Sequence, residues 1–389
     1  MKALVLGIGF QGKAVVHDLS ASPVIDEIIA VDMNLAGTEE FLKRGAYTKA
    51  RAVKADVLDR KVLTDLIKQT KADVLVCMLP SHVSGEIAKT CVQARIHFVN
   101  TSYAHWLEGL DEEAKANGVA LLSEMGFDPG IDLILGAKAV AELDEVHGLY
   151  SYGAGIPEKE ACDNPLNYKI TWTFDGVLQA YNREARMLQN GQEVCIPDSD
   201  IFKNENIHMI VVQDLGALEA YPNGDAINFI KVFGLGPSLK EMGRFAARWP
   251  GHCAYWQVMS AMGFLDDEPV DMGDGVSVSP VQFVSRLMTP RLQFKDDERD
   301  VAVLKVHAWG LRNGEKKSVI YEMLDYRDPA TGFFAMNRTV GFTASIGAQM
   351  ILHNEITGKG ILSPVRDVNG DRVLEELALR GVKVACRTS

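Results

Sequence analysis

Gly7-Ile-Gly9-Phe10-Gln11-Gly12 is the first stretch whose residue types and spacing can do binding chemistry. It follows an apolar run, Ala3 to Leu6, and opens a helical pattern that runs through Leu19. In that setting the first glycine permits a tight turn and the second lets a pyrophosphate approach the backbone. The third lets the helix pack close to the strand, and the phosphates rest on the helix N-terminus. Phe10 and Gln11 belong to the same cofactor loop. A glycine-rich turn with no ligand is the plainer alternative.

A second apolar run, Ile28 to Asp32, ends in an acid about twenty residues after Gly12, where a carboxylate accepts ribose hydroxyls and repels the extra phosphate of NADP. No arginine follows Asp32 directly, so NAD is expected over NADP. Asp56, closing a strand expected over 52–56, is placed at the adenine edge. Leu79-Pro80-Ser81 and Thr101, with Tyr103, follow two further strands and fall on the same ligand edge. Ser81 and Thr101 can equally be loop polar groups, whereas the Tyr103 phenol can hydrogen-bond a substrate or pack on a nicotinamide.

Asp128 is the next reactive candidate. Val119 to Ser123 reads as a strand, and helical spacing starts at Ile131. Asp128 therefore falls at an N-cap and Pro129 at the first helical position. A cap carboxylate can still take a proton from a substrate amine. Farther on, Arg248 can fork onto a substrate carboxylate in a way no lysine can, or pair with a structural acid. His252 is either a group titrating near neutral pH or a capped polar side chain. Lys169 is a carboxylate ligand, a base with a lowered pKa, or a solvated lysine. Trp172 reads as core or as a pocket wall.

These residues need a scaffold. Six strand-like runs (3–6, 28–32, 52–56, 73–78, 97–100 and 119–123) alternate with helical segments at 61–70, 83–94 and 107–117. That rhythm implies a doubly wound parallel sheet of the Rossmann type with right-handed crossovers, an α/β fold. From about Glu145 the rhythm changes to strands at 146–152, 209–212, 301–308 and 318–325, with a helix at 174–181. Strands without regular helices between them suggest a separate α+β substrate domain with a mixed or antiparallel sheet. Helices at 338–352 and 373–379 follow, with 358–364 read as a turn.

The chain has 389 residues, enough for two or three cores at roughly 150 residues each. Hydrophobic residues make up 47% and charged residues 24%, ordinary for a globular protein. A formal net charge of -12 argues against a nucleic-acid partner, though a few local arginines can still hold a small anion. No apolar run approaches the roughly 18 residues that cross a membrane, and the opening residues lack a signal-peptide cleavage site. Six scattered cysteines, without a Cys-x-x-Cys or paired histidines, fit neither a disulfide framework nor a zinc site, so no metal is expected. A reduced, cytoplasmic protein is the expectation.

Glu124-Met-Gly-Phe-Asp-Pro-Gly-Ile-Asp132, Asn100 to Tyr103, Tyr152 to Pro157, Asp163-Asn-Pro-Leu-Asn-Tyr-Lys169, Ala220 to Asp225 and Gly358 to Pro364, with the Gly7–Gly12 fingerprint, resemble the saccharopine dehydrogenase family in kind and order. The resemblance spans nearly the whole chain. It implies a Rossmann domain at 1–130 completed by 337–389, and an α+β substrate-binding and dimerisation domain at 131–336. It also implies carboxy-terminal helices returning to the Rossmann side, a homodimer, and an NAD(P)-dependent amino-acid dehydrogenase. Tyr103, Asp128, Lys169 and His252 are then the catalytic candidates, and Arg248, Trp172 and Asn164 the substrate-binding ones.

Two branches of the family compete. Tyr168 to Trp172, Arg248 to His252 and Arg338 to Ala344 resemble lysine 6-dehydrogenases. The glutamate-forming saccharopine reductases usually carry arginines where this chain has Asp175 and Gly224, and a basic residue where it has Asp32. Saccharopine presents three carboxylates, and burying each without a cation costs several kcal/mol. Lysine is therefore expected as substrate, with saccharopine or a carboxylated polyamine as alternatives. The expected chemistry is hydride transfer from a C–N carbon, then water addition to the imine and release of amine or ammonia. A catalytically inactive NAD(H)-responsive regulator is the alternative of another class.

Overall fold

Short runs of Val, Leu, Ile and Ala, buried on both faces, build the first sheet. A computed structural model describes all 389 residues. Its strands β1 (Lys2–Leu6), β2 (Glu27–Val31), β3 (Ala50–Val53), β4 (Val74–Cys77), β5 (His97–Asn100) and β6 (Ala120–Leu122) pair in parallel, joined by the strand Gly360–Leu362. The spatial order is Gly360–Leu362, β6, β5, β4, β1, β2, β3. The order reverses at β1, the switch point where doubly wound sheets bind ligands beyond their carboxyl ends. The α/β expectation is met. Two details differ: β3 ends at Val53 rather than at Asp56, and 358–364, expected as a turn, supplies the seventh strand.

The second sheet has nine strands. In chain order they are β7 (Glu145–Pro157), β8 (Ala185–Gln189), β9 (Gln192–Ile196), β10 (His208–Val212), β11 (Gly216–Pro222), β12 (Glu241–Arg248), then β15 (Asp300–Arg312), β16 (Glu315–Tyr326) and β18 (Lys383–Thr388). The hairpin β13 (Val270–Gly273) and β14 (Val276–Val278) stands apart, and β17 is Gly360–Leu362 in the first sheet. The main path runs β10, β11, β12, β7, β15, β16, β18, with β8 joined to β12 and β9 to β8. Only β12 and β7 pair in parallel, so the sheet is mixed, as its sequence rhythm implied.

The chain divides into two compact units. The first is 1–134 with 337–382, and the second is 135–336 with 383–389. The closing segment therefore departs from the sequence reading, which gave all of 337–389 to the Rossmann domain. β18 instead pairs antiparallel with β16, and Arg387 donates to the buried Glu322, which Lys305 also meets at 2.9 Å. No helix is long and apolar enough to cross a membrane.

Candidate active site

The first unit carries the dinucleotide cradle. Gly7 has φ of +85°, in the left-handed region, and its N–H donates to Val31 at 2.9 Å. A Cβ on Gly12 would lie 1.9 Å from the Gly7 carbonyl oxygen, so this packing admits no side chain. A Cβ on Gly9 would meet nothing within 4 Å. Gly9 caps the twelve-residue helix Phe10–Ala21, whose first N–H groups have no side-chain cap. Uncapped helix donors facing open space beside a glycine fit a pyrophosphate.

Asp32 reaches back to this loop. Oδ2 accepts from Ile8 N–H at 2.7 Å and Oδ1 from Asn34 N–H at 2.8 Å, fixing the carboxylate at the end of β2. Leu79 lies 3.0 Å from a Cβ built on Gly7, so the Leu79-Pro80 turn covers the first glycine. Ser81 is exposed and opens a single 3-10 turn, Ser81–Val83. Asp56 is exposed beyond the end of β3 and accepts from Leu58 N–H at 3.1 Å, which is a turn role.

The loops after β5 and β6 meet at the carboxyl edge. Glu124 N–H donates to Ser102 at 3.0 Å, Glu124 Oε1 accepts from Ala104 N–H at 3.3 Å, and a Cβ on Gly126 would lie 3.1 Å from Thr101 Cβ. Tyr103 precedes the short turn Ala104–Leu107, and its ring stacks on His105 at 6.0 Å. Asp128 is half-buried and followed by a cis bond to Pro129. The helix begins at Ile131, two residues beyond the start expected at Pro129, and Asp132 Oδ1 accepts from Gly130 N–H at 2.7 Å. A Cβ on Gly130 would fall 2.1 Å from the Gly126 carbonyl oxygen, so the two glycines cross at contact distance. Burial raises the Asp132 carboxyl to about 7.

The second unit holds a buried polar cluster around Arg248, the last residue of β12. The guanidinium lies 5.3 Å from the Tyr168 ring and 5.9 Å from the Tyr221 ring. Nη1 donates to the Ala247 carbonyl at 2.8 Å and Nε has no partner; the buried Glu219 stands opposite Arg248 on β11, but its carboxylate accepts from the Gly251 and Cys253 N–H groups and makes no ion pair with the guanidinium. Pairing of Arg248 with a structural acid is therefore absent. Burial pushes the Tyr221 hydroxyl up to about 12 and raises those of Tyr168 and Tyr181, so the phenols stay protonated. The Tyr168 hydroxyl and Trp256 Nε1, both buried, also lack partners.

Four expectations for this unit are corrected. His252 is 1% exposed and lies 2.7 Å from the Tyr181 hydroxyl. Burial and then the Arg248 charge push its pKa well below the ordinary histidine value, so it does not titrate near neutral pH. Lys169 is neither solvated nor free. Its Nζ lies 2.6 Å from both Glu298 oxygens and 2.9 Å from Asp163. The ammonium is thus committed to two internal carboxylates, and hydrogen bonds from Lys295 and Lys169 hold Asp163 down at about 2. Asn164, expected to bind substrate, spends its amide on the chain: Nδ2 donates to the Tyr168 carbonyl at 2.8 Å and Oδ1 accepts from Leu166 N–H at 3.1 Å. It shapes the turn that presents Tyr168. Trp172 is 39% exposed, hence not core, and lies over Gly176.

Comparison with known proteins fits this arrangement. The model described as saccharopine dehydrogenase NADP binding domain matches residues 3–122, and that described as saccharopine dehydrogenase C-terminal domain matches 126–382. The chain belongs to the saccharopine dehydrogenase family. The family's relatives include saccharopine dehydrogenase [NADP(+), L-glutamate-forming] of Saccharomyces cerevisiae, 24% identical over 96% of each chain. The mitochondrial alpha-aminoadipic semialdehyde synthase of Mus musculus is 24% identical over 98% of this chain and 47% of its own. The apo yeast saccharopine dehydrogenase structure superposes with a TM-score of 0.87 at 22% identity, covering 100% of this chain and 99% of the other, which shows the shared fold.

As a member of the saccharopine dehydrogenase family, the protein is a nicotinamide-dependent oxidoreductase of the amino-acid C–N class. The matched model and the yeast relative are both described with NADP, which leans away from the NAD expected from Asp32. Sequence reasoning missed Tyr181, Tyr221 and Glu298. The two tyrosines lie among apolar neighbours and read as core, and Glu298 is far from its partner Lys169 in sequence.

Proposed function

We propose that the protein is a lysine 6-dehydrogenase-like enzyme, oxidising the C–N bond of an amino acid with NAD. The observation that carries this is Arg248. A buried guanidinium stays charged, and leaving such a charge without a counterion costs several kcal/mol. Arg248 makes no ion pair, and the acid opposite it, Glu219, is spent on two backbone N–H groups, so the guanidinium is suited to one carboxylate of a small ligand. Asp175, where saccharopine reductases carry an arginine, accepts from Ser285 and adds no cation. When bound, the nicotinamide accepts the hydride from the amine-bearing carbon. In the second unit Arg248 is the candidate ligand of a substrate carboxylate; in the first, Asp128 and Tyr103, on adjoining loops, are the candidates to take an amine proton and orient water. Asp32 would receive the ribose hydroxyls and disfavour a 2′-phosphate.

Saccharopine is the second reading, favoured by one observation besides the relatives' names. A Cβ on Gly224 would lie 3.1 Å from Arg183 Nη2, so a cation from another position stands where the reductases carry theirs. The exposed Arg183 bonds Asn223 Oδ1 at 3.0 Å and has no carboxylate partner. Incubation with NAD or NADP and lysine, saccharopine or a carboxylated polyamine, followed at the reduced-nicotinamide absorbance band, separates the readings. Lysine turnover with NAD is expected; turnover of saccharopine alone, with NADP, would overturn the substrate and cofactor assignment together.

We also propose a homodimer through the second unit's sheet. It carries a partly exposed aromatic row, with Trp309 against Tyr150 at 5.0 Å and against His307 at 4.8 Å. Sedimentation at equilibrium tests this, with a monomer mass at micromolar protein as the contrary result.

A further inference from the structure

We infer that His252 is a positioning residue: as a neutral acceptor it holds the Tyr181 hydroxyl, which in turn orients the Arg248 guanidinium. The inference rests on the reading of Arg248 as the carboxylate site. Its basis is a count of protons among buried groups. A guanidinium only donates, so a hydroxyl oxygen facing it must offer a lone pair. The Tyr181 hydroxyl is bonded by Arg248, lies against the Tyr221 hydroxyl, and has His252 Nε2 at 2.7 Å. With its oxygen turned to the cation, the Tyr181 proton can go to the Tyr221 oxygen or to Nε2, and Nε2 is the bare acceptor when the imidazole carries its own proton on Nδ1. Nδ1 is turned toward the Leu166 backbone without a partner at hydrogen-bond distance.

The surroundings keep the ring in place and uncharged. Tyr168, Tyr181 and Trp256 pack around it at centroid distances of 5.3, 5.8 and 6.2 Å. The charged neighbour is Arg248, on β12, and the titratable ones are Tyr168, Tyr181 on the helix Phe174–Tyr181, and Tyr221 on β11. Water, which could replace a lost acceptor at an exposed site, has no ready access to a ring 1% exposed. Neutral histidine is therefore the group that decides which way the phenol donates, and the phenol decides how the arginine fork is presented.

The test compares His252→Phe, His252→Gln, Tyr181→Phe and the His252→Phe/Tyr181→Phe double variant in steady-state turnover of the substrate found above. His252→Phe should raise KM roughly tenfold or more, as loss of a buried hydrogen bond does, with kcat little changed. His252→Gln, whose amide oxygen can replace Nε2, should recover most of that loss. The double variant should be no worse than either single one, because both cut the same link. A large fall in kcat with KM unchanged, or loss of an inflection near neutral pH from the kcat profile, would make His252 an acid–base group and overturn the inference.

Should the phenylalanine variant not fold, nitrogen-15 spectra of the wild-type histidines decide. A neutral His252 protonated on Nδ1 throughout neutral pH supports the inference, and an imidazolium there refutes it. Arg248→Gln separates the two levels. If it leaves KM unchanged in an active enzyme, the carboxylate site itself is misassigned. If it raises KM while His252→Phe does not, only the positioning role fails.

Discussion

Gly9 and Gly12 share a loop and a residue type, yet they answer to different neighbours. A methyl group on Gly12 strikes the Gly7 carbonyl, whereas one on Gly9 enters open space. Gly12→Ala should therefore lower the melting temperature and cofactor affinity together. Gly9→Ala should leave melting nearly unchanged and weaken dinucleotide binding by roughly tenfold or more, as loss of charge-assisted contacts to phosphate does. Thermal melts and reduced-nicotinamide fluorescence titrations check both. At Asp32, replacement by Ala should shift preference toward NADP; an unchanged preference would count against its assigned role. The sequence displays residue type without partners, which is why these glycines were legible and Lys169 was not. Its partner Glu298 lies 129 positions away, and only the fold decides between a free amine and a filled ion cluster.

At the scale of elements, Asp300 ties β15 to the start of the helix Ala335–Leu352 by accepting from Ala335 N–H at 2.7 Å and Met336 N–H at 3.1 Å. Burial raises its carboxyl to about 7, the two backbone donors opposing and Asp325 assisting. Between the ordinary carboxylate pKa and about 7 the folded chain thus holds a proton that the unfolded chain has released. Stability from this group falls as pH rises through that window. Asp300→Asn cannot ionise, so its melting temperature should gain on the wild type between about pH 5 and pH 8, paired melts giving the comparison. Removing the acceptor altogether, in Asp300→Ala, should cost about 1–2 kcal/mol, or roughly 2–8 °C. The first sheet's strands were readable because doubly buried parallel strands are continuous apolar runs. The strand Gly360–Leu362 was not, being three residues long and opening on a glycine of φ +89°. β12 hid for another reason. It buries Arg244 and Arg248 among Met242, Gly243, Phe245, Ala246 and Ala247, a pattern that neither strand alternation nor helical spacing marks.

Over the whole molecule, both units are discontinuous in sequence. β18 closes one edge of the second unit's sheet and brings Arg387 to Glu322. Deleting 383–389 would strip the backbone partners from one edge of β16 and leave Glu322 with Lys305 alone. The second unit's unfolding transition should drop by several degrees, while the first unit keeps its affinity for dinucleotide. Calorimetry and a cofactor titration on the truncated chain measure the two effects, and a loss of cofactor affinity would argue that the units are not energetically separable. That the chain splits into two units was legible from the change of rhythm near Glu145. Its last crossing was not, since a six-residue strand with Lys383, Arg387 and Thr388 at its ends and no clear alternation carries no strand signature of its own.

The same threading sets the order in which the protein can be completed as it is made. The first unit lacks the strand Gly360–Leu362 and the helices around it until more than two hundred residues of the other unit have been translated. The second unit then waits for β18, which follows those returning helices. Neither sheet can close on a ribosome that has delivered only its opening stretch. The nascent chain therefore carries two unfinished sheet edges at once, in a cell where exposed edges recruit one another.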